Sequence, residues 1–189
     1  GLDQPTAVVS VLKELMEKHG KVIFGGDGYS AEWHTKAVEE NGLRNIPTTA
    51  DALPAFLEDS VKTLFKSTGV LSPAELESRY EVYSEQYILA IEVEAKLVVD
   101  MATTSIYPAA MSYLSELSDA IDSAASIGVA MDASLAKTLA EHTNAMTTAV
   151  TALSLALEED HFLSAETQMK YCANDLRSLM DDVRACADA

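Results

Sequence analysis

From Ser72 to Gly128, about 55 residues, the sequence carries no glycine or other clean helix stop, and this limits the fold more than any other feature. The stretch opens with Ser72-Pro73-Ala74-Glu75, a capping box with proline at the first helical position, in which Glu75 can reach back to the Ser72 amide. Apolar seats follow at Leu76, Tyr80, Tyr83, Tyr87, Ala90, Leu97 and Met101. A second stripe runs beside them at Ile88, Ile91, Ala95, Val98 and Ala102. Two adjacent stripes predict a central helix buried over a wide face. Pro108 is expected to kink it, because the Thr104 carbonyl loses its partner and meets the proline ring. The expected helix runs from Pro73 to about Ile127.

Two helices should return along it. Asp132 is placed to cap one carrying Leu135, Leu139, His142, Met146, Val150, Leu153 and Leu157. Ser164 is placed to cap another carrying Met169, Cys172, Leu176, Leu179, Val183 and Cys186 in an unbroken 3-4 alternation. Alanine is abundant downstream of Tyr113, and small seats let helices approach closely. The second half therefore predicts a slim antiparallel bundle.

The first third is less uniform. Gln4-Pro5 opens a helix with Val8, Leu12, Leu15 and His19 at helical spacing, and Gly20 stops it. Lys21 to Phe24 is expected to be a short strand. A helix from Ala31 to Glu40 should end at Asn41-Gly42. After the linker Ile46-Pro-Thr-Thr-Ala-Asp51, another is expected from Pro54 to Lys66, with Leu57, Val61, Leu64 and Phe65 on one face and Gly69 at its end. The fold class is mainly α: a helical bundle with a long kinked central helix and one short N-terminal strand and turn appendage. The domain division expected is 1–52 for the strand-turn-helix segment and 53–189 for the helical bundle.

The chain of 189 residues is 48% hydrophobic, which suffices for one core. A formal charge of −17 with 13 Lys and Arg opposes binding to nucleic acid or an anionic membrane surface, since phosphate affinity comes mainly from those cations. No apolar run approaches the ~18 residues of a bilayer span, and no basic-then-apolar leader is visible. Two cysteines fit a reducing compartment, so the expected location is cytoplasmic. Gly1 in place of an initiator methionine, and a last helical pattern without a C-cap glycine, suggest a piece of a longer protein.

Several residues are candidates for chemistry. Gly25-Gly-Asp-Gly28 lies where a phosphate loop would. A Walker loop needs Lys followed by Ser or Thr, and here Tyr29-Ser30 stands there; the dinucleotide fingerprint needs a third glycine where Ala31 stands. Asp27 would repel phosphate. The loop is expected instead to use glycine for positive φ, with Ser30 capping the helix that begins at Ala31. His19, His34, His142 and His161 form no i, i+4 pair, so metal-ligand spacing is absent. Glu92, Glu94 and Asp100 resemble di-iron carboxylates, but no Glu-x-x-His partner exists, and they are expected on a solvated flank. Cys172 and Cys186 are expected to act as small hydrophobes. Tyr80, Tyr83 and Tyr87 are expected to pack rather than line a ligand groove. No catalytic, cofactor-binding or metal residue is assigned.

Val22-Ile-Phe-Gly-Gly-Asp-Gly-Tyr-Ser-Ala-Glu-Trp33, then Glu40-Asn-Gly-Leu-Arg-Asn-Ile-Pro-Thr-Thr-Ala-Asp-Ala-Leu-Pro54, resemble the C-terminal region of type III glutamine synthetases. So do Gly69-Val-Leu-Ser-Pro-Ala-Glu-Leu-Glu-Ser-Arg-Tyr80, and the tract from Ile91-Glu-Val-Glu-Ala-Lys-Leu97 through Tyr107-Pro-Ala-Ala-Met-Ser-Tyr113. Gly26 departs from the asparagine expected in that turn. The resemblance implies a parent ligase that joins ammonia to glutamate using ATP and Mg or Mn, built as stacked hexameric rings. It implies that the ATP, metal and glutamate ligands lie in a catalytic domain upstream, to which residues 1–52 would join. This segment would then be a helical accessory domain serving packing, assembly or regulation, in a homo-oligomer through its parent. The alternative is a free-standing acidic helical scaffold or sensor bundle without catalysis.

Overall fold

The computed structural model describes residues 3–20, 23 and 25–189. The strand expected over Lys21 to Phe24 lies outside the described residues except for Ile23, which has no regular secondary structure. No strand occurs among the described residues. Instead the Ile23 amide turns back to the Gly20 carbonyl at 3.0 Å. The chain divides into two compact units, Gly1–Pro47 and Thr48–Ala189.

The first unit holds α1 (Gln4–His19), with Pro5 in its opening turn and no buried side chain, and α2 (Ala31–Glu39). Ser30 caps α2, its hydroxyl accepting from the Trp33 amide at 3.2 Å. Ala37 is buried, and the chain leaves the helix through Gly42 at φ +65°, a conformation that favours glycine.

The second unit opens with α3 (Thr49–Ala52), capped by Thr48, which runs on into a 3-10 turn, Leu53–Leu57, around Pro54. Glu58 is extended, and α4 (Asp59–Ser67) starts after it. The single helix expected from Pro54 to Lys66 is thus broken in two. The break lets Leu53 and Phe56 turn onto the core while Val61 and Phe65 are only half-buried. Gly69, at φ +66°, ends α4 with the paired bonds of a Schellman motif, Val70 amide to Phe65 carbonyl at 3.0 Å and Gly69 amide to Lys66 carbonyl at 3.2 Å.

The expected capping box then starts α5 (Pro73–Met101): the Glu75 amide reaches the Ser72 hydroxyl at 3.3 Å and the Ser72 amide reaches Glu75 Oε2 at 2.7 Å. A π turn, Ala102–Ile106, joins α5 directly to α6 (Tyr107–Ser126), so one helical segment runs from Pro73 to Ser126. This turn is how Pro108 is accommodated. The Tyr107 amide bonds to the Ala102 carbonyl, five residues back, just before the residue that has no amide to give. The extra residue rotates the downstream helix by about 100°, which brings seats spaced in fours (Ala102, Ile106, Ala110, Leu114) onto one side. Gly128, at φ +81°, closes α6 with a second Schellman pair.

The remaining helices are α7 (Ser134–Ala156) and α8 (Ala165–Tyr171), the latter continued through a π turn, Cys172–Leu176, into α9 (Arg177–Ala187). Asp132 does not sit at the cap position itself; it lies two residues before α7 and takes the Ser134 amide at 2.9 Å. Ser164 caps α8 as expected, but the last helix is not the unbroken alternation its sequence suggests. α8 packs on α3 and α5, and α9 lies along α7, with the π turn between these two neighbours.

The core joins Ile88, Ile91 and Ala95 of α5, Met146, Val150 and Leu153 of α7, and Met169, Cys172, Leu176 and Val183 of the last helix. Leu76, Ala95, Leu153 and Met169 are wholly inaccessible. The wide buried face expected for the central helix is corrected: the stripe through Ile88, Ile91 and Ala95 is buried, whereas Ala90, Leu97 and Met101 face outward.

Candidate functional site

The glycine loop is the first place to seek chemistry. Asp27 governs its geometry: its carboxylate accepts from the Tyr29 amide at 2.9 Å, and its carbonyl accepts from the Ser30 hydroxyl at 2.9 Å. The amide that a phosphate would need is therefore already taken by a carboxylate of like charge. Tyr29 projects almost wholly into solvent. The expected positive φ is not found at Gly25 or Gly28, where an added Cβ would also meet nothing within 4 Å. Among the described residues, the left-handed glycines are those that end helices, Gly42, Gly69 and Gly128.

The histidines are dispersed. His19 ends α1, His34 lies on α2, His161 is exposed beside Asp160, and His142 is half-buried on α7. No three His, Cys, Asp or Glu side chains converge to hold a metal ion among the described residues. Glu94 and Asp100 are exposed, as expected of a flank. Glu92 is not: it is half-buried and accepts from Gln168 Nε2 at 3.1 Å, tying α5 to α8.

Beside this bond lies Cys172, 1% exposed, whose thiol is pushed up from 9.0 to about 11, first by burial and then by the charge of Glu92. A thiol so protonated is a poor nucleophile and metal ligand. Cys186 is half-buried, and both cysteines are free. Tyr80 and Tyr87 pack against the core, and burial raises the Tyr87 hydroxyl pKa. Tyr83 is more open and lies 6.3 Å from the Phe56 ring, centroid to centroid.

Sequence reasoning missed three arrangements. Tyr171 donates to the Ala156 carbonyl at 2.9 Å and lies 5.0 Å from the Phe162 ring, closing the end of α7. A shallow groove of about 150 Å³ is lined by Ile106, Leu135, Leu139, His142, Met146 and Cys186. Another, of about 260 Å³, opens at the first π turn between Thr103, Tyr107, Thr147 and Thr151. The threonine hydroxyls there are already bonded, Thr103 to the Val99 carbonyl at 2.8 Å and Thr151 to the Thr147 carbonyl at 2.8 Å. What these grooves offer is apolar surface. The signal for them was the π turn, and no local residue pattern announces one except Pro108. No helix among the described residues is long and apolar enough to cross a membrane.

Comparison with known proteins identifies this architecture. The family model for the glutamine synthetase C-terminal domain matches residues 7–125. The chain is 35% identical over 118 residues to the type-3 glutamine synthetase of Dictyostelium discoideum, covering 62% of this chain and 16% of that protein. It is 32% identical over 114 residues to the glutamine synthetase of Butyrivibrio fibrisolvens, with 60% and 16% covered, and 31% identical over 117 residues to that of Bacteroides fragilis strain YCH46, with 62% and 16% covered. The chain thus matches about one sixth of the length of these relatives. With well over half of its residues matched by that family model, the chain belongs to the glutamine synthetase C-terminal domain family, of the type III group.

Proposed function

We propose that this chain is the accessory C-terminal domain of a longer polypeptide that makes glutamine from glutamate, ammonia and ATP in the cytoplasm. The observation that carries the reading is the family match combined with its extent, a stretch amounting to 16% of each relative. Residues 1–52 would join an upstream catalytic domain, and the helical bundle would serve assembly of a homo-oligomer. The reaction needs an activated acyl phosphate, hence divalent metal and cations against the charge of the transferring phosphoryl group. The glycine turn does not fit a phosphate, since it binds its own carboxylate, and among the described residues the acidic side chains do not converge as such a metal requires. This supports placing the ATP, Mg or Mn and glutamate ligands upstream.

The test has two arms. The purified 189-residue chain, given glutamate, ammonia, ATP and Mg or Mn, should form no glutamine and no γ-glutamyl hydroxamate. The full-length polypeptide should do both, and deletion from Thr48 onward should disrupt its assembly, read by light scattering. Turnover by the isolated chain refutes the accessory reading. A full-length polypeptide without ligase activity favours the free-standing scaffold.

A further inference from the structure

The central helix is apolar on its outside as well as its inside. Opposite the core-facing Ile88, Ile91 and Ala95 stand Leu89, Val93, Leu97 and Met101, exposed by 61%, 53%, 53% and 51%. Their spacing of four places them on one ridge, the row that interdigitates when helices pack. The row in fours ends at Met101, where exposed Ser105 comes next; on α6, Tyr107, Met111 and Tyr113 are exposed among Ser112, Ser115, Glu116 and Asp119. A helix that is apolar on both sides belongs inside a larger body. The unit Thr48–Ala189 covers only the inner side. Glu85, Glu94 and Asp100 flank the ridge in solvent, with Lys96 as the cation among them, so its rim is acidic.

We propose that this ridge docks the domain onto the upstream part of its own polypeptide, at an apolar face rimmed by Lys and Arg. The inference rests on the reading of the chain as one domain of a longer synthetase. Two observations select this occupant. The matched stretch is 16% of each relative, so the relatives carry a large protein surface beyond the domain for such a ridge to meet. A second copy of this chain is the poorer fit, because each carries a formal charge of −17 and the same acidic rim would face itself.

Maleimide labelling tests it. Leu97→Cys, in a Cys186→Ala background, is compared in the 189-residue chain and in the full-length polypeptide, with Ser115→Cys on α6 as the exposed control. The Leu97→Cys thiol should label about tenfold more slowly in the full-length protein, while the control labels alike in both. A zero-length carboxylate–amine crosslinker should join Glu94 or Asp100 to an upstream lysine. Equal labelling of Leu97→Cys in both proteins overturns the proposal. So does protection of the 189-residue chain that grows with its concentration and gives crosslinks between two copies of α5. Ammonia ligation by the full-length protein is assayed in parallel: activity with free labelling refutes the ridge alone. Absence of activity refutes the synthetase reading, while the labelling ratio still decides the ridge.

Discussion

Cys172 should make the bundle lose stability in alkali, and the size of the loss follows from its surroundings. In the folded chain its thiol is buried beside Glu92 and ionises near about 11, against 9.0 for the exposed group. Between those values the unfolded chain has released its proton and the folded chain has not. The unfolded state then binds fewer protons, so stability falls as pH rises. The contribution is complete below about pH 9 and disappears as the pH passes through about 11. One pH unit inside that window corresponds to about 1.4 kcal/mol, so about 1.4 is gone near pH 10 and roughly 3 at the end. Cys172→Ala removes the titration but leaves a small cavity costing about 1–2 kcal/mol at neutral pH. Urea unfolding followed by circular dichroism, with reductant present, should show the two proteins separated by that cost at pH 7, converging near pH 10 and crossing above it. Tyr87 and Tyr171 occur in both proteins, and the burial that mainly raises their hydroxyls cancels in the difference; the smaller push each receives from the Cys172 thiolate belongs to the Cys172 effect being measured. An offset that stays constant across the range would refute the buried, protonated thiol.

Ser72→Ala should cost about 1 kcal/mol in thermal or urea unfolding, because the Glu75 amide at the start of the longest helix loses its acceptor. In the same box the two Ser72 donors hold the Glu75 carboxyl below its ordinary pKa, so this contribution is present at neutral pH and lost as the pH falls through the acid range; an acid titration of Glu75→Gln should lack it. Gly69→Ala should cost about 1–2 kcal/mol at φ +66°, whereas Gly28→Ala, with neither positive φ nor a neighbour at its Cβ, should stay within about 0.5 kcal/mol; equal costs would contradict the backbone assignment. Tyr171→Phe should cost about 1 kcal/mol by leaving the Ala156 carbonyl without its partner, while the ring contact with Phe162 remains.

What the sequence made legible was local. Ser72 with Glu75, Ser30, Ser164, Gly69 and Gly128 mark helix ends through bonds that span three to five residues, and a short window contains both partners. Pro108 announced a disturbance, but not that a π turn would absorb it. The π turn at Cys172–Leu176 has no proline, and its register shift lies where the last helix passes from α5 to α7 as its neighbour. The break at Glu58 likewise depends on where Leu53 and Phe56 find cover, which is tertiary information. Of the candidate sites, the cap role of Ser30 was legible, while the half-burial of Glu92 required Gln168, a partner from another helix. Periodicity finds apolar positions on α5, but cannot say which of two apolar faces the chain itself will cover.

The stretch that is recognisable and the unit that folds do not coincide. The family match ends at residue 125, inside the last turn of α6, yet the inner face of α5 is completed by residues well beyond it. Met146, Val150 and Leu153 on α7, and Met169, Leu176 and Val183 on the last helix, share one core with Ile88, Ile91 and Ala95, alongside Ala50 and Leu53 from within the match. Those later helices are rich in alanine and place their larger apolar residues at intervals of three and four. Such a surface asks for suitable volume and pattern rather than for particular residues, so very different sequences can fill it. The capping box, the glycine turns and the proline at the π turn are less forgiving, since each supplies a specific donor, a permitted φ or a missing amide. Most of them fall within residues 25–128, nearly all of which the family match covers. The core therefore extends past the boundary of the match, onto helices whose packing asks for volume and pattern.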